Sequence, residues 1–217
     1  MMKKEMKKMY EDWILKNNHP CVMAQTVFSQ ENVFLKEYNY LGDQSHIEEL
    51  YKDLREYLDS IERDDNQFKT FLAVFPKSDI KSEDEFEDLL WQELFNINKV
   101  DKVKWDPNVS SDPENENFSF SIGGKAFYIV GMHPKSSRLA RQTPFPTIAF
   151  NLHSQFEKLR DKGAYQKVRN KIRDRDEKLQ GFINPELEDF GTSSEARQYS
   201  GKNHEQEWKC PFHNSRN

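Results

Sequence analysis

The chain reads as an α+β fold, a single domain in which a mixed, largely antiparallel sheet is flanked by helices. Three observations predict it. Short apolar runs cluster at residues 21–38, 68–75 and 118–151, with helix-period segments between and around them. Residues 118–122, then Gly123-Gly124, then residues 125–131 form the clearest hairpin signal in the chain. No glycine-rich phosphate loop follows any of the strands, so dinucleotide-binding and P-loop classes are excluded.

Taken in order, residues 2–17 predict a helix, with Met6, Met9, Tyr10, Trp13 and Ile14 on one face and Asn17, Asn18 and Pro20 ending it. Residues 21–28 (CVMAQTVF) read as a buried strand, paired with 33–38. Ser45 and Glu48 have capping-box spacing and open a helix to Ile61, with Leu50, Leu54 and Leu58 on its apolar stripe. Residues 68–75 (FKTFLAVF) are the next strand. Ser82 and Glu85 form a second capping box for a helix to about Asn98. Residues 105–117 carry two Asp-Pro pairs and read as a loop. Residues 147–151 (TIAFN) are another strand. Ser154 and Glu157 form a third capping box for a long helix to Leu179, which Gly163 can interrupt. Residues 181–217 are an irregular tail, and Trp208 and Phe212 predict that it docks on the domain.

Composition narrows the function. Hydrophobic residues are 35% of the 217 and charged residues 32%, yet 16 Phe, 8 Tyr and 4 Trp supply a core. The basic N-terminus lacks the apolar region of a signal peptide, and no apolar run of ~18 residues is present. Two cysteines do not make a disulfide framework, so the expected compartment is the cytoplasm. A net charge of −5 argues against nucleic acid as a partner, and the absent apolar run against a membrane.

Against that acidic background, residues 117–154 contain no Asp or Glu, where an average stretch of that length would hold about six. A buried hairpin accounts for residues 118–130. It does not account for Lys135, Arg138 and Arg141 between His133 and Gln142, which together are a footprint for an anion. The segment also holds His133, just past one strand, and His153, at the end of another. Zinc fits poorly, since HExxH and CxxC motifs are absent, and a non-haem iron triad lacks its carboxylate. Haem needs one axial His or Cys, apolar walls and cations for its propionates, and this segment suits it better. Cys210, within Trp208-Lys-Cys-Pro-Phe212, is an alternative thiolate ligand, whereas Cys21 reads as a small buried hydrophobe. A hydrolase has no GxSxG elbow to rest on.

The segments HPCVMA, GMHPKSSRLARQTPFPTIAFNLHSQFEKLR, RQYSG and WKCPF resemble the YqcI/YcgG family of bacterial proteins, over residues 13–212. The resemblance implies a haem-dependent oxygenase that N-hydroxylates a guanidino or amino compound, with an electron donor or peroxide as co-reactant. His133, Ser137, Arg138, Arg141, Asn151, His153, Gln155 and Phe156 fall on the family motif. The expectation is therefore haem b held by axial His153, with His133 or Cys210 as the other ligands considered. His133 would be the distal, catalytic residue. Arg138 and Arg141 would hold propionates, and Ser137, Asn151 and Phe156 would contribute to the cofactor site. A cationic substrate needs an acid, for which Glu31, Glu37 and Glu157 are candidates. The rival reading is a non-enzymatic haem or small-anion binding protein, a carrier or sensor.

Overall fold

The computed structural model describes residues 3–17, 19–63, 67–182 and 191–216. The predicted helix start at Met2, its stop at Asn18 and the tail segment 183–190 lie outside them. Among the described residues there are seven helices and five strands: α1 (Lys3–Lys16), α2 (Val22–Ser29), β1 (Val33–Glu37), α3 (Ile47–Arg63), β2 (Thr70–Val74), α4 (Glu83–Val100), β3 (Phe120–Ile122), β4 (Lys125–Met132), β5 (Thr147–Leu152), α5 (His153–Asp161), α6 (Tyr165–Gln180) and α7 (Ala196–Tyr199). The strands form one sheet in the order β1-β2-β5-β4-β3. β1 and β2 are parallel, and every other pair is antiparallel. This is the expected α+β domain.

Both faces of the sheet are covered, so β2 is buried throughout and β5 everywhere but Asn151. Their alternation still sorts the residues. Phe71, Ala73, Ile129, Ile148 and Phe150 pack toward α3 and α4 in the larger core. Leu72, Val74, Met132 and Ala149 pack toward α1 and α2 with Met6, Tyr10, Ile14, Val27 and Phe28. Gly123 and Gly124 both have positive φ, as the tight hairpin turn requires. Near the end of the chain, Phe212 is buried in the larger core, edge-on to Phe120 at 5.4 Å.

Three local expectations are corrected. Residues 21–28 are not a strand. Val22–Ser29 is helical, because Ala24, Val27 and Phe28 share one face at i, i+3, i+4 and pack on α1. β1 therefore takes β2 as its parallel partner, with α3 as the crossover. At the next helix, Asp43 caps in place of Ser45: its Oδ1 accepts the Ser45 amide at 2.9 Å across a short 3₁₀ turn before α3. Ser154 is also not a cap, since α5 begins at His153. Gln155 instead grips the end of β2, accepting from Lys69 N at 2.7 Å and donating to Lys69 O at 3.1 Å. The long helix then breaks at Gly163, whose φ is +65°, into α5 and α6. Ser82 does cap as predicted, accepting from Glu85 N at 3.1 Å. No described helix is long and apolar enough to cross a membrane.

Candidate functional site

A cavity of about 300 Å³ lies between the sheet and the layer formed by α1, α2, α5 and α6. Its floor is Thr70 and Leu72 of β2, Tyr128, Val130 and Met132 of β4, and Ala149 and Asn151 of β5. Tyr10, Trp13 and Ile14 of α1 and Val168 and Ile172 of α6 supply apolar walls. Few polar groups enter it, which is the usual make-up of a small-molecule site.

One wall is the entry to α2. Cys21 is its N-cap, and the thiol accepts the Ala24 amide at 3.4 Å. His19 is buried beside it. Its Nε2 donates to Ala140 O at 3.0 Å and its Nδ1 accepts from Cys21 N at 3.2 Å, which fixes one neutral tautomer. Burial lowers this imidazole to about 4. Burial likewise raises the Cys21 thiol, opposed by the first-turn amides and by the charges of Arg141 and Arg175. The thiol that the sequence presents as a small core hydrophobe thus opens onto the cavity at a helix N-terminus. Pro20 directly before Cys21, after the Asn-rich end of α1, was the available signal for a helix start.

Two of the three predicted cations, Arg138 and Arg141, turn inward. Arg138 donates from Nη2 to Asp176 Oδ2 of α6 at 2.8 Å, and its buried Nε has no hydrogen-bond partner. Arg141 donates to Gly131 O at 2.8 Å and to Gln198 O at 3.4 Å, and among the described residues no carboxylate pairs with it. Burial first, then the neighbouring Arg138 charge, lowers Arg141 to about 10. Lys135 is exposed.

The far end holds His153, the first residue of α5. Its Nδ1 lies 3.6 Å from Glu157 Oε1 and its Nε2 lies 3.6 Å from Glu195 Oε1. Asn151, on the floor, accepts from Thr70 Oγ1 at 2.9 Å and donates to Tyr128 O at 3.3 Å. Phe156 lines the cavity edge-on to Tyr128 at 6.0 Å.

Three expected site residues stand elsewhere. His133 follows Met132, a floor residue, and strand alternation turns it to the opposite face, where its ring stacks on Phe86 of α4 at 4.3 Å. Its Nδ1 is buried with no hydrogen-bond partner, and burial lowers it to about 4. It does not meet His153. Ser137 donates from both its amide and its hydroxyl to Glu83 Oε1 at 2.9 Å, outside the cavity. Cys210 packs against the larger core, where burial pushes its thiol up to about 12. Of the acids considered for the substrate, Glu31, Glu37 and Glu157 do not line the cavity, whereas Asp176 and Glu195 do.

Fold and site together define an α+β protein with one sheet and a mainly apolar cavity carrying a thiol, two buried arginines and two buried carboxylates. The chain belongs to the YqcI/YcgG family, whose pattern it matches over residues 10–213. It is 26% identical over 203 residues, 89% of this chain and 80% of the other, to the uncharacterized protein YcgG of Bacillus subtilis (strain 168). No solved structure matches it.

Proposed function

We propose that the protein is a haem-dependent oxygenase that N-hydroxylates a guanidino or amino compound. The observation that carries this reading is Cys21 at the N-terminus of α2, lining a mainly apolar cavity. The donor set suits haem. A thiolate ligand is stabilised by first-turn amides and nearby cations, and it favours O–O cleavage. The unpartnered Arg138 Nε and the carboxylate-free Arg141 are the groups that would receive propionates. His153 faces carboxylates through both ring nitrogens, so the ligand role expected of it passes to Cys21.

When bound, haem would supply the oxidant that places one oxygen atom on nitrogen. The co-reactant is dioxygen with two electrons and two protons, or hydrogen peroxide, and the second oxygen leaves as water. The chain's own residues exclude solvent, hold the cofactor's charges and orient the nitrogen. The carboxylate-free Arg141 also supports the second reading, a haem or small-anion carrier or sensor.

The test is to titrate the protein with haemin, record its absorption spectrum, and incubate the product with arginine, agmatine and methylguanidine plus peroxide or a reductant and oxygen. Stoichiometric haem uptake and a mass gain of one oxygen atom are expected. Haem uptake with no oxidised product would favour the carrier. A colourless protein that leaves haemin unperturbed would end both readings.

A further inference from the structure

The cavity is electrically polarised, and among the described residues the nearest cationic group to the Glu195 carboxylate is the His153 imidazole, 3.6 Å away. Asp176 and Glu195 are the acids among its described lining residues. Asp176 is committed to Arg138. Glu195 is not committed to any Lys or Arg among the described residues. Its side chain is buried beside the start of α7. Its Oε2 lies 3.0 Å from Ser119 Oγ, whose single proton is shared between that oxygen and Phe127 O at 3.1 Å, which holds the carboxylate beside β4. Its Oε1 stands 3.6 Å from His153 Nε2, beyond hydrogen-bond length. A buried carboxylate whose second oxygen has only an imidazole at 3.6 Å is expensive to desolvate, and a bound cation offsets that cost.

The surroundings select the kind of cation. Tyr128 and Phe156 line this end, set edge-to-face at 6.0 Å. The Tyr128 hydroxyl is held by Gln198 Oε1 at 2.8 Å. Aromatic faces beside a carboxylate favour a planar, weakly hydrated, delocalised cation over a compact ammonium. The opposite charge sits further along the same strand. Arg141 is anchored at Gly131 O, about 13 Å beyond Phe127 along an extended strand. The two charges can thus serve different groups at once.

We infer that Glu195 is the specificity-determining residue of this cavity and receives a guanidinium- or amidinium-class cation on its second carboxylate oxygen. This deepens the proposed function and rests on it for what reacts at that cation; binding itself does not require haem. His153, aimed at the same oxygen, positions Glu195 and need not touch the iron.

The experiment is calorimetric titration of methylguanidine, methylamine and the neutral isostere methylurea into the protein, with and without haem, for wild type, Glu195→Gln and Glu195→Asp. Wild type is expected to bind methylguanidine at least roughly tenfold more tightly than the other two, the scale of one charge-assisted hydrogen bond. Glu195→Gln keeps an acceptor for Ser119 and is expected to erase that preference. Glu195→Asp, which withdraws the carboxylate, is expected to weaken it and carries the test if the Gln variant does not fold. Retention of the full preference in both variants, or no preference for methylguanidine in wild type, overturns the inference. The preference in a protein that never takes up haem would keep Glu195 and discard the oxygenase. Haem uptake with no guanidinium preference would do the reverse.

Discussion

Arg138 and Asp176 form a buried ion pair, 2.8 Å from Nη2 to Oδ2, that ties the loop after β4 to the C-terminal part of α6. The pair closes one side of the cavity. It also explains how an acid-free stretch tolerates a buried arginine: the counter-charge comes from a helix distant in sequence. Breaking such a pair leaves a charge stranded in low dielectric, whereas replacing both partners removes the problem.

Asp176→Ala is accordingly expected to cost roughly 3–5 kcal/mol in urea unfolding, because Arg138 remains behind. Arg138→Met combined with Asp176→Leu is expected to cost clearly less than the Asp176 single change. A double variant as unstable as the sum of the two single variants would show that the pair is not coupled as described.

Cys21, not Cys210, is expected to govern iron ligation in the proposed haem form. Cys21→Ser should lose the thiolate signature of the ferrous carbon monoxide spectrum, while Cys210→Ala and His153→Ala keep it. The reason is placement: Cys21 opens onto the cavity, Cys210 packs against the core on the other side of the sheet, and His153 faces Glu157 and Glu195. Loss of that signature in His153→Ala, with Cys21→Ser unchanged, would restore the histidine ligand.

Much of the fold was legible because it is local. The Gly123-Gly124 hairpin, the strands at residues 70–74 and 147–152 and the cap at Ser82 all follow from short-range chemistry. Residues 21–28 misled because Val22, Thr26 and Val27 are β-branched, and the i, i+3, i+4 face that decides the matter is only one turn long. The inward turn of Arg138 and Arg141 was legible too, because an acid-free stretch in an acidic chain singles them out, whereas Lys135 of the same stretch is exposed. His133 was within reach of the same reasoning, since a period of two sends the residue after Met132 to the other face. Asp176 and Glu195 were not. Asp176 sits in a helix crowded with charges and Glu195 in an irregular tail, and only tertiary packing singles them out.

Acid sensitivity should follow from His19 and His133, both held near 4 by burial. In the unfolded chain each titrates near ~6.5. Above that, both states are neutral and folding is unaffected. As pH falls from about 6.5 toward 4, the unfolded chain binds protons that the native imidazoles refuse, so stability drops through that window and levels off below it. The loss is expected to be on the order of 3 kcal/mol per histidine. His19→Gln with His133→Gln should flatten this part of a stability–pH curve measured by denaturant unfolding. An unchanged slope would mean that other groups set it.

Gly131 offers the sharpest test of how the motif is packed. It lies within β4, and a Cβ placed there would stand 2.7 Å from Leu90 Cδ1, from Phe86 Cε1 and from the Tyr199 backbone oxygen. Two of these are side chains that can shift, but the third is backbone. Gly131 O is also the acceptor that anchors Arg141. Gly131→Ala must therefore push α7 away from the sheet and disturb the arginine at once. The expected loss is roughly 1–3 kcal/mol from overpacking, measured by thermal or urea unfolding. Because Gln198 of α7 is the second carbonyl on Arg141, the same variant should also weaken anion or haem binding at that end. An alanine variant with wild-type stability would show that α7 can move off the strand without cost, and that the close approach at Gly131 does not hold the site together.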